Sequence, residues 1–201
     1  LLATPVLAAK PATAAVEALW QSCRAIEKDP AASVAACSRF LDLPEGRLAQ
    51  FRTYAFSNRG NAAVSLQRYD EALADFGEAL RLDAKNETAY VGRGNVHFWR
   101  GENELALKDF DEAIRLDPRD ANPHHGRGNV FFNTGRYDDA LKSYGEAIRL
   151  NPKFFNAYSG RSNVYAELKQ YDRAISDLTQ ALRINPTYVN ALVNRGNNYM
   201  R

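Results

Sequence analysis

The chain has 201 residues, of which 45% are apolar and 25% charged, and its formal net charge is +2. This composition supports one large domain or two small ones with a packed core, and it argues against wholesale disorder. Because 26 basic side chains nearly balance 24 acidic ones and no apolar run reaches about eighteen residues, we expect neither nucleic-acid binding nor membrane insertion.

The first 15 residues are typical of a leader. They begin LLATPVLAAK, and the apolar run that ends at Ala8 looks like the tail of a secretory signal with a small-residue cleavage site. This pattern predicts a periplasmic or secreted protein, although the charged start of such a signal is absent. The alternative is an Ala/Pro-rich leader of a cytoplasmic protein, or an arbitrary segment boundary.

Residues 16–52 are predicted to form an N-terminal helical cap. Amphipathic patterns at 16–28 and 31–43 flank Pro30 and indicate a helical hairpin. Cys23 and Cys37 each lie seven residues from Pro30, so in an antiparallel hairpin they stand opposite each other. In an exported protein this predicts a disulfide, and the alternative is two buried free thiols that pack as small hydrophobes.

From residue 53 onward the sequence repeats every 34 residues. An Arg-Gly-Asn motif marks the period at 59–61, 93–95, 127–129 and 195–197, with Arg-Ser-Asn at 161–163. The motif divides the chain into units at 53–86, 87–120, 121–154 and 155–188, followed by a first helix of a fifth unit at 189–201. A fixed period of this length predicts a stack of small supersecondary units.

Each unit is predicted to be a helix pair, as in 87–100 and 104–116, which are separated at Gly101 and closed by Pro118. Small residues recur where the two helices must touch: Gly60, Gly94, Gly128, Ser162 and Gly196 on first helices, and Ala72, Ala106, Ala140 and Ala174 on second helices. Large residues follow four positions after these alanines, at Phe76, Phe110, Tyr144 and Leu178. Small and large side chains are therefore expected to interdigitate.

This pattern resembles the tetratricopeptide repeat family, whose 34-residue unit carries Leu-Gly-x-x-Tyr, Ala-x-x-x-Phe and a closing Pro. The resemblance covers 53–201 and implies an all-α, right-handed α-solenoid of helix pairs, with the N-terminal hairpin as its cap. One departure is systematic, since Arg replaces the usual Leu before the Gly in every unit.

A partly buried guanidinium requires an acceptor. Three units place an acidic residue opposite this Arg, which predicts pairs of Arg59 with Asp75, Arg93 with Asp109 and Arg161 with Asp177. The third unit has Ser143 at that place, so Arg127 must find another acceptor. The alternative hypothesis is a ladder of arginines that binds acidic ligands.

The resemblance also implies a concave groove built from the first helices. One groove position holds Asn in every unit, at Asn61, Asn95, Asn129, Asn163 and Asn197. An amide both donates and accepts, which matches the N–H and C=O groups of an extended peptide. The alternative is that these amides bond only within the scaffold.

An aromatic patch is expected in the same groove, formed by Phe98, Trp99, His125 and Phe132. The basic side chains with which some family members bind carboxylate-ended tails are absent, so a segment with aromatic or aliphatic side chains is favoured. Glycines at 92, 126 and 160 are costly within a helix. They allow either close approach of a ligand backbone or space for the adjacent unit.

The sequence offers little chemistry. His124 and His125 diverge by about 100 degrees on a helix, and His97 takes the place of aromatic residues in other units, which predicts packing. No phosphate loop, metal-ligand spacing or nucleophile with a base occurs. We therefore expect no enzyme, cofactor or metal, but an adaptor that binds a protein or peptide. The alternatives are a self-assembling module, joined through its terminal helix, and a regulatory segment of a larger enzyme.

Overall fold

The computed structural model describes residues 14–44 and 49–200, and these form eleven helices without a strand. The helices are α1 Ala14–Arg24, α2 Pro30–Leu41, α3 Ala49–Ser65, α4 Tyr69–Leu82, α5 Glu87–Trp99, α6 Asn103–Leu116, α7 Ala121–Asn133, α8 Tyr137–Leu150, α9 Phe155–Glu167, α10 Tyr171–Ile184 and α11 Val189–Tyr199. They pack in consecutive pairs. The first helices of the repeats are thus the odd-numbered ones from α3 onward, and the predicted all-helical solenoid of helix pairs is confirmed. The predicted leader lies almost wholly outside the described residues.

The chain forms two compact units, of which the first ends at Val96 and the second begins at His97. The predicted cap and the first repeat belong to the first unit, and the repeats that follow α5 belong to the second. Among the described residues, no helix is long and apolar enough to cross a membrane.

The N-terminal hairpin is closed by a disulfide between Cys23 and Cys37, both fully buried. The predicted helix bounds are wrong at this point, because α1 ends at Arg24 and not at Lys28. Asp29 is extended and caps α2, where its side chain accepts from the Ala32 N–H at 2.9 Å. The chain must therefore leave the helical conformation before that cap, and Pro30 suits the first turn of α2.

The turn between the two helices of each repeat needs a residue in the left-handed region. At this point Gly101 and Gly135 have φ of 76° and 72°, whereas Gln67 and Lys169 each have φ of 58°. The chain therefore reverses in the same way in all four repeats. Only the two glycines do so without steric cost.

A large ring lies between two glycines in the interior of the repeats. Phe76 of α4 contacts both Gly60 and Gly92, and an added Cβ at Gly60 would lie 2.8 Å from the ring. In the second unit, Cβ atoms added at Gly126 and Gly160 would come within 2.5 Å of Phe110 and 2.6 Å of Tyr144, respectively. The glycines at 92, 126 and 160 therefore make space for the ring of the preceding repeat, which decides between the two explanations offered by the sequence.

The predicted ion pairs of Arg59 and Arg161 are present. Each guanidinium donates two hydrogen bonds to its aspartate, with N···O distances of 2.7 and 2.8 Å for Asp75 and 2.8 Å for both bonds to Asp177. These hydrogen bonds raise the pKa of both arginines. Arg93 and Asp109 belong to different compact units, and their pairing stays a prediction.

Arg127 binds a different acceptor, as predicted from the serine that replaces the aspartate in its repeat. Its Nη1 donates to Asp111 at 2.8 Å, whereas its buried Nε has no hydrogen-bond partner. Asp111 lies sixteen residues before the arginine, whereas Asp75 and Asp177 lie sixteen residues after theirs. A second-helix side chain thus reaches the first helix on either side of it.

Candidate protein-binding surface

The asparagines of the first helices divide between the two compact units. Asn61 and Asn95 are half-buried in the first unit; Asn129 and Asn163 are half-buried in the second, where Asn197 is exposed. The helices α7 and α9 are adjacent, and their asparagines occupy equivalent positions. We call the surface of α7 and α9 that carries Asn129 and Asn163 the amide face.

Asn129 is held by the residue that fills the interior next to it. The ring of Tyr144, which is 1% exposed, contacts Gly128 of α7 and Gly160 of α9. Its hydroxyl donates to Oδ1 of Asn129 at 2.7 Å. Burial raises the pKa of Tyr144, so its hydroxyl remains protonated and can donate this hydrogen bond.

Asn163 is held from the next first helix. Nδ2 of Asn194 in α11 donates to Oδ1 of Asn163 at 3.2 Å, and Asn198 donates to the main-chain oxygen of Asn194 at 2.8 Å. The sequence hypothesis of scaffold bonding therefore describes the carbonyl oxygens of both amides. Within residues 14–44 and 49–200, their Nδ2 groups have no protein partner.

The predicted aromatic patch is only partly on the surface. Phe98 and Phe132 are half-buried and pack against the interior, the latter beside Tyr144. His125 is half-buried between the rings of Tyr144 and Phe154, with centroid distances of 5.8 and 5.0 Å. Trp99 is 50% exposed. Three of the four rings therefore support the helices, and their predicted contact with a ligand stays a prediction.

The histidines differ in their surroundings. Burial lowers the pKa of His125 to about 4, and burial also lowers the pKa of His124, whose two ring nitrogens have no hydrogen-bond partner. His97, which was predicted to pack, has a side chain that is 14% exposed. Its Nδ1 is hydrogen-bonded to Glu102, and this bond lowers the pKa of that carboxyl group. Glu102 lies across the α5–α6 turn from His97, and this proximity was not predicted from the sequence.

The described part of the chain has no cluster of three or more side chains that could hold a metal ion. An open cleft of about 650 Å³ lies where α10 begins and α11 ends, between Lys169 and Tyr199. Its lining combines basic, acidic and aromatic side chains.

The fold, the paired helices and the 34-residue period agree with a sequence comparison. The family model for the TPR repeat matches residues 60–99, 94–135, 128–169 and 162–201. The chain therefore belongs to the tetratricopeptide repeat family, which is typically a protein-interaction scaffold.

Several solved structures share this fold. One is YrrB, described as a TPR protein with an unusual peptide-binding site; it has 24% identity and a TM-score of 0.63, and the match covers 89% of this chain and 88% of that chain. Another is TTC0263, a thermophilic TPR protein from Thermus thermophilus, with 20% identity and a TM-score of 0.72; the match covers 86% of this chain and 91% of that chain. A tetratricopeptide repeat protein from Parabacteroides merdae is also similar, with 18% identity and a TM-score of 0.70; the match covers 92% of this chain and 72% of that chain. At these identities the likeness concerns the fold. Among curated proteins, none matches the chain.

Proposed function

We propose that this chain is a non-catalytic adaptor that binds an extended segment of a protein partner across the amide face. The observation that carries the proposal is the pair of equivalent, half-exposed amides on adjacent helices, each with an Nδ2 group that has no protein partner within residues 14–44 and 49–200. Main-chain carbonyl groups are the acceptors common to all peptides. The similarity to YrrB, which is described as having a peptide-binding site, supports the same function.

A pair of matched variants tests this proposal. Asn129→Ala with Asn163→Ala removes both amides, and Lys142→Ala with Lys153→Ala removes two lysines of the same unit outside the amide face. We expect affinity capture from the native compartment to lose partners with the asparagine variant only. Equal capture by both variants, with unchanged helicity, would remove the amide face as the binding surface.

The exported location is also a proposal, and the Cys23–Cys37 disulfide supports it because such bonds persist in oxidising compartments. Mass measurement after alkylation of the denatured protein tests the bond. We expect no added alkyl groups without reductant and two with it. Alkylation of both thiols in freshly isolated protein would argue for a reducing compartment.

A second candidate function is self-assembly through α11, where one copy would pack on another. Its side chains Val189, Leu192, Val193 and Tyr199 are 45% to 68% exposed, and an added Cβ at Gly196 would meet nothing within 4 Å. Light scattering over a concentration series tests this candidate. A constant monomeric mass would exclude it.

A further inference from the structure

The helix α11 carries a row of exposed residues at positions that are covered in the equivalent helices. Val189, Leu192, Gly196 and Tyr199 follow one another at spacings of three and four residues, so they share one side of the helix. All four are exposed, the three side chains by 65%, 45% and 68%, respectively. Their equivalents in α7 and α9 are buried or half-buried. We call these four residues the α11 face.

Gly196 lies at a position that receives a ring in other repeats. A Cβ added at Gly60 would lie 2.8 Å from the ring of Phe76. One added at Gly128 would lie 2.7 Å from the ring of Tyr144. In both cases the ring belongs to the second helix of the same repeat. Among the described residues, an added Cβ at Gly196 meets nothing within 4 Å, so the α11 face has space for a ring.

The charge of Arg195, next to this glycine, adds a second requirement. Arg59 and Arg161 occupy the equivalent position in their repeats. Each donates two hydrogen bonds to the aspartate directly before the interior side chain of its repeat, which is Asp75 and Asp177, respectively. Arg195 is half-buried, and within residues 14–44 and 49–200 it has no hydrogen bond or ion pair through its side chain. A half-buried guanidinium favours an acceptor, so the α11 face favours a carboxylate beside the ring.

These two requirements describe one kind of helix. It carries an aromatic side chain for the space at Gly196 and an aspartate directly before that side chain for Arg195. A small residue four positions before the ring completes the pattern, as Ala72 of α4 does where it is fully buried in one core with Ala63 of α3. The resulting pattern is Ala-x-x-Asp-Phe, which α4 has at residues 72–76.

A second folded copy of this chain has no such helix to offer on its surface. Ala-x-x-Asp followed by a large apolar residue occurs three times in the sequence, ending at Phe76, Phe110 and Leu178. All three side chains are fully buried, and exposing one of them would remove the apolar burial that stabilises its repeat. The helix that covers the α11 face is therefore expected to come from a different protein.

We propose that the α11 face binds an amphipathic helix of a partner protein that carries the pattern Ala-x-x-Asp-Phe or Ala-x-x-Asp-Tyr. The aromatic ring fills the space at Gly196, and the aspartate accepts hydrogen bonds from Arg195. Apolar side chains of the same helix cover Leu192 and Tyr199, which are exposed. These residues are not those of the amide face, so the adaptor has a second binding surface.

A peptide with the sequence of α4 tests the class of partner. The probe is a labelled peptide of residues 69–82, YDEALADFGEALRL, and fluorescence anisotropy measures its binding to the full chain. Phe76→Ala in the peptide leaves the space at Gly196 unfilled, so we expect it to weaken binding about tenfold or more. Glu71→Ala changes a residue outside the pattern and should change binding by less than about twofold. No binding of the α4 peptide at millimolar concentration, or equal binding of the Phe76→Ala peptide, would overturn the inference.

An exchange of charges tests the ion pair. Arg195→Asp in the protein and Asp75→Arg in the peptide each place like charges together, so we expect each change alone to weaken binding about fivefold or more. The two changes together restore the attraction and should bring binding back to within about twofold of the original pair. No recovery in the double exchange would overturn the proposed partner chemistry.

Two protein variants test the location. Gly196→Leu fills the space for the ring, and we expect it to weaken binding of the α4 peptide about tenfold. The melting temperature should not fall, since an added Cβ at this position meets nothing within 4 Å. Asn190→Leu is the matched control, because Asn190 is exposed and lies about 120 degrees around α11 from Gly196. Equal binding of the peptide by both variants would overturn the inference.

The outcomes separate this inference from the proposed function. If Asn129→Ala weakens binding of the α4 peptide and Gly196→Leu does not, the peptide lies across the amide face, so the inference is wrong and the adaptor function stands. If light scattering shows a dimer that Gly196→Leu dissociates and the α4 peptide does not, a second copy covers the α11 face and the inference is wrong. If Gly196→Leu alone loses the peptide, the inference is supported, whatever the capture experiment shows for the amide face.

Discussion

The repeat 121–154 and the repeat 155–188 solve the same packing problem with different side chains. In the first, Tyr144 lies between Gly128 and Gly160. In the second, Leu178 takes the place of the ring, and the two glycine positions hold Ser162 and Asn194. Both interior side chains are at most 1% exposed. A smaller interior side chain thus occurs with larger side chains sixteen residues before and after it, as close packing requires.

The same two repeats differ in three further places. The turn uses Gly135 in one and Lys169 in the other, with φ of 72° and 58°. His125 corresponds to Ser159. The ion pairs differ too, because Asp177 is almost buried, whereas the Asp111 side chain that Arg127 binds is 58% exposed. Backbones of one shape therefore accommodate different side-chain interactions, and each difference can be tested by exchange.

The largest effect is expected for the buried ion pair. Arg161→Ala leaves the carboxylate of Asp177, whose side chain is 8% exposed, without its partner. Removal of one member of a buried pair costs about 3 kcal/mol, so the free energy of unfolding in urea should fall by that amount. Arg127→Ala is the matched control, and we expect about 0.5 kcal/mol because its partner is exposed. Equal losses of unfolding free energy in the two variants would show that the buried pair is no more important than the exposed one.

A pH effect is expected from His125, because burial lowers its pKa to about 4 in the folded protein. The unfolded chain takes up the proton near the usual pKa of about 6.5, so stability is greatest above that pH and falls as the pH decreases toward 4. The expected loss is about 2 kcal/mol at pH 5.

His125→Ser, which copies the next repeat, should reduce this pH dependence. It should not remove all of it, since burial also lowers the pKa of His124. Urea unfolding at pH 7 and pH 5 measures both. The same pH dependence in the variant would assign the effect to other groups.

Gly160 contacts a ring and Gly145 does not, so replacing each with alanine should change the free energy of unfolding in opposite directions. Gly160→Ala puts a Cβ 2.6 Å from the ring of Tyr144, whereas an added Cβ at Gly145 meets nothing within 4 Å. Overpacking costs about 2 kcal/mol, so Gly160→Ala should lower the melting temperature. Gly145→Ala removes the helix penalty of glycine and should stabilise by about 0.5–1 kcal/mol. If both variants stabilise the protein, the ring of Tyr144 does not exclude a side chain at position 160.

A double-mutant cycle sharpens the same comparison. Leu178→Phe should destabilise the protein because Ser162 occupies the position that Gly128 has beside Tyr144. Ser162→Gly restores that space, so we expect the two changes together to cost about 1 kcal/mol less than the sum of the single changes. Additive effects in urea unfolding would show that the side chain at 162 does not limit the size of the side chain at 178.

The smallest expected effect concerns the turn. Lys169 has a positive φ, which costs a non-glycine residue about 1 kcal/mol. Lys169→Gly should therefore stabilise, by slightly less than that amount, because glycine gains freedom in the unfolded chain. Gly135→Lys is the reverse exchange and should destabilise. Stabilisation by Gly135→Lys would rule out the strain argument.

The period was enough to predict the helix pairs, because Gly, Ala and Pro mark contact and end points at fixed places in each repeat. It was not enough to predict the partners of Gly92 or Arg127. A period aligns each residue with its equivalents, but it does not say which side chain lies opposite. Phe76 lies sixteen residues before Gly92, and Asp111 lies sixteen residues before Arg127. Both contacts cross the boundary between two repeats.

The amide face shows the same limit at the level of single atoms. The recurring asparagines are apparent in the sequence, which is compatible both with peptide binding and with bonding within the scaffold. The bond from Tyr144 to Asn129 was not predicted, because it requires the hydroxyl to pass between two glycines. The start of α3 at Ala49, four residues before the repeat begins, was also missed, since no capping signal marks it.

Phe76 and Tyr144 each contact two glycines, and this limits how the protein can evolve. Insertion of one residue within α8 before Tyr144, or within α9 before Gly160, would rotate part of that helix by about 100 degrees and disturb the contact between the ring and the glycine. Length changes within the helices of a repeat are thus expected to destabilise the protein. New length is expected to arise by duplication of whole repeats, and inserted residues should accumulate in the turns.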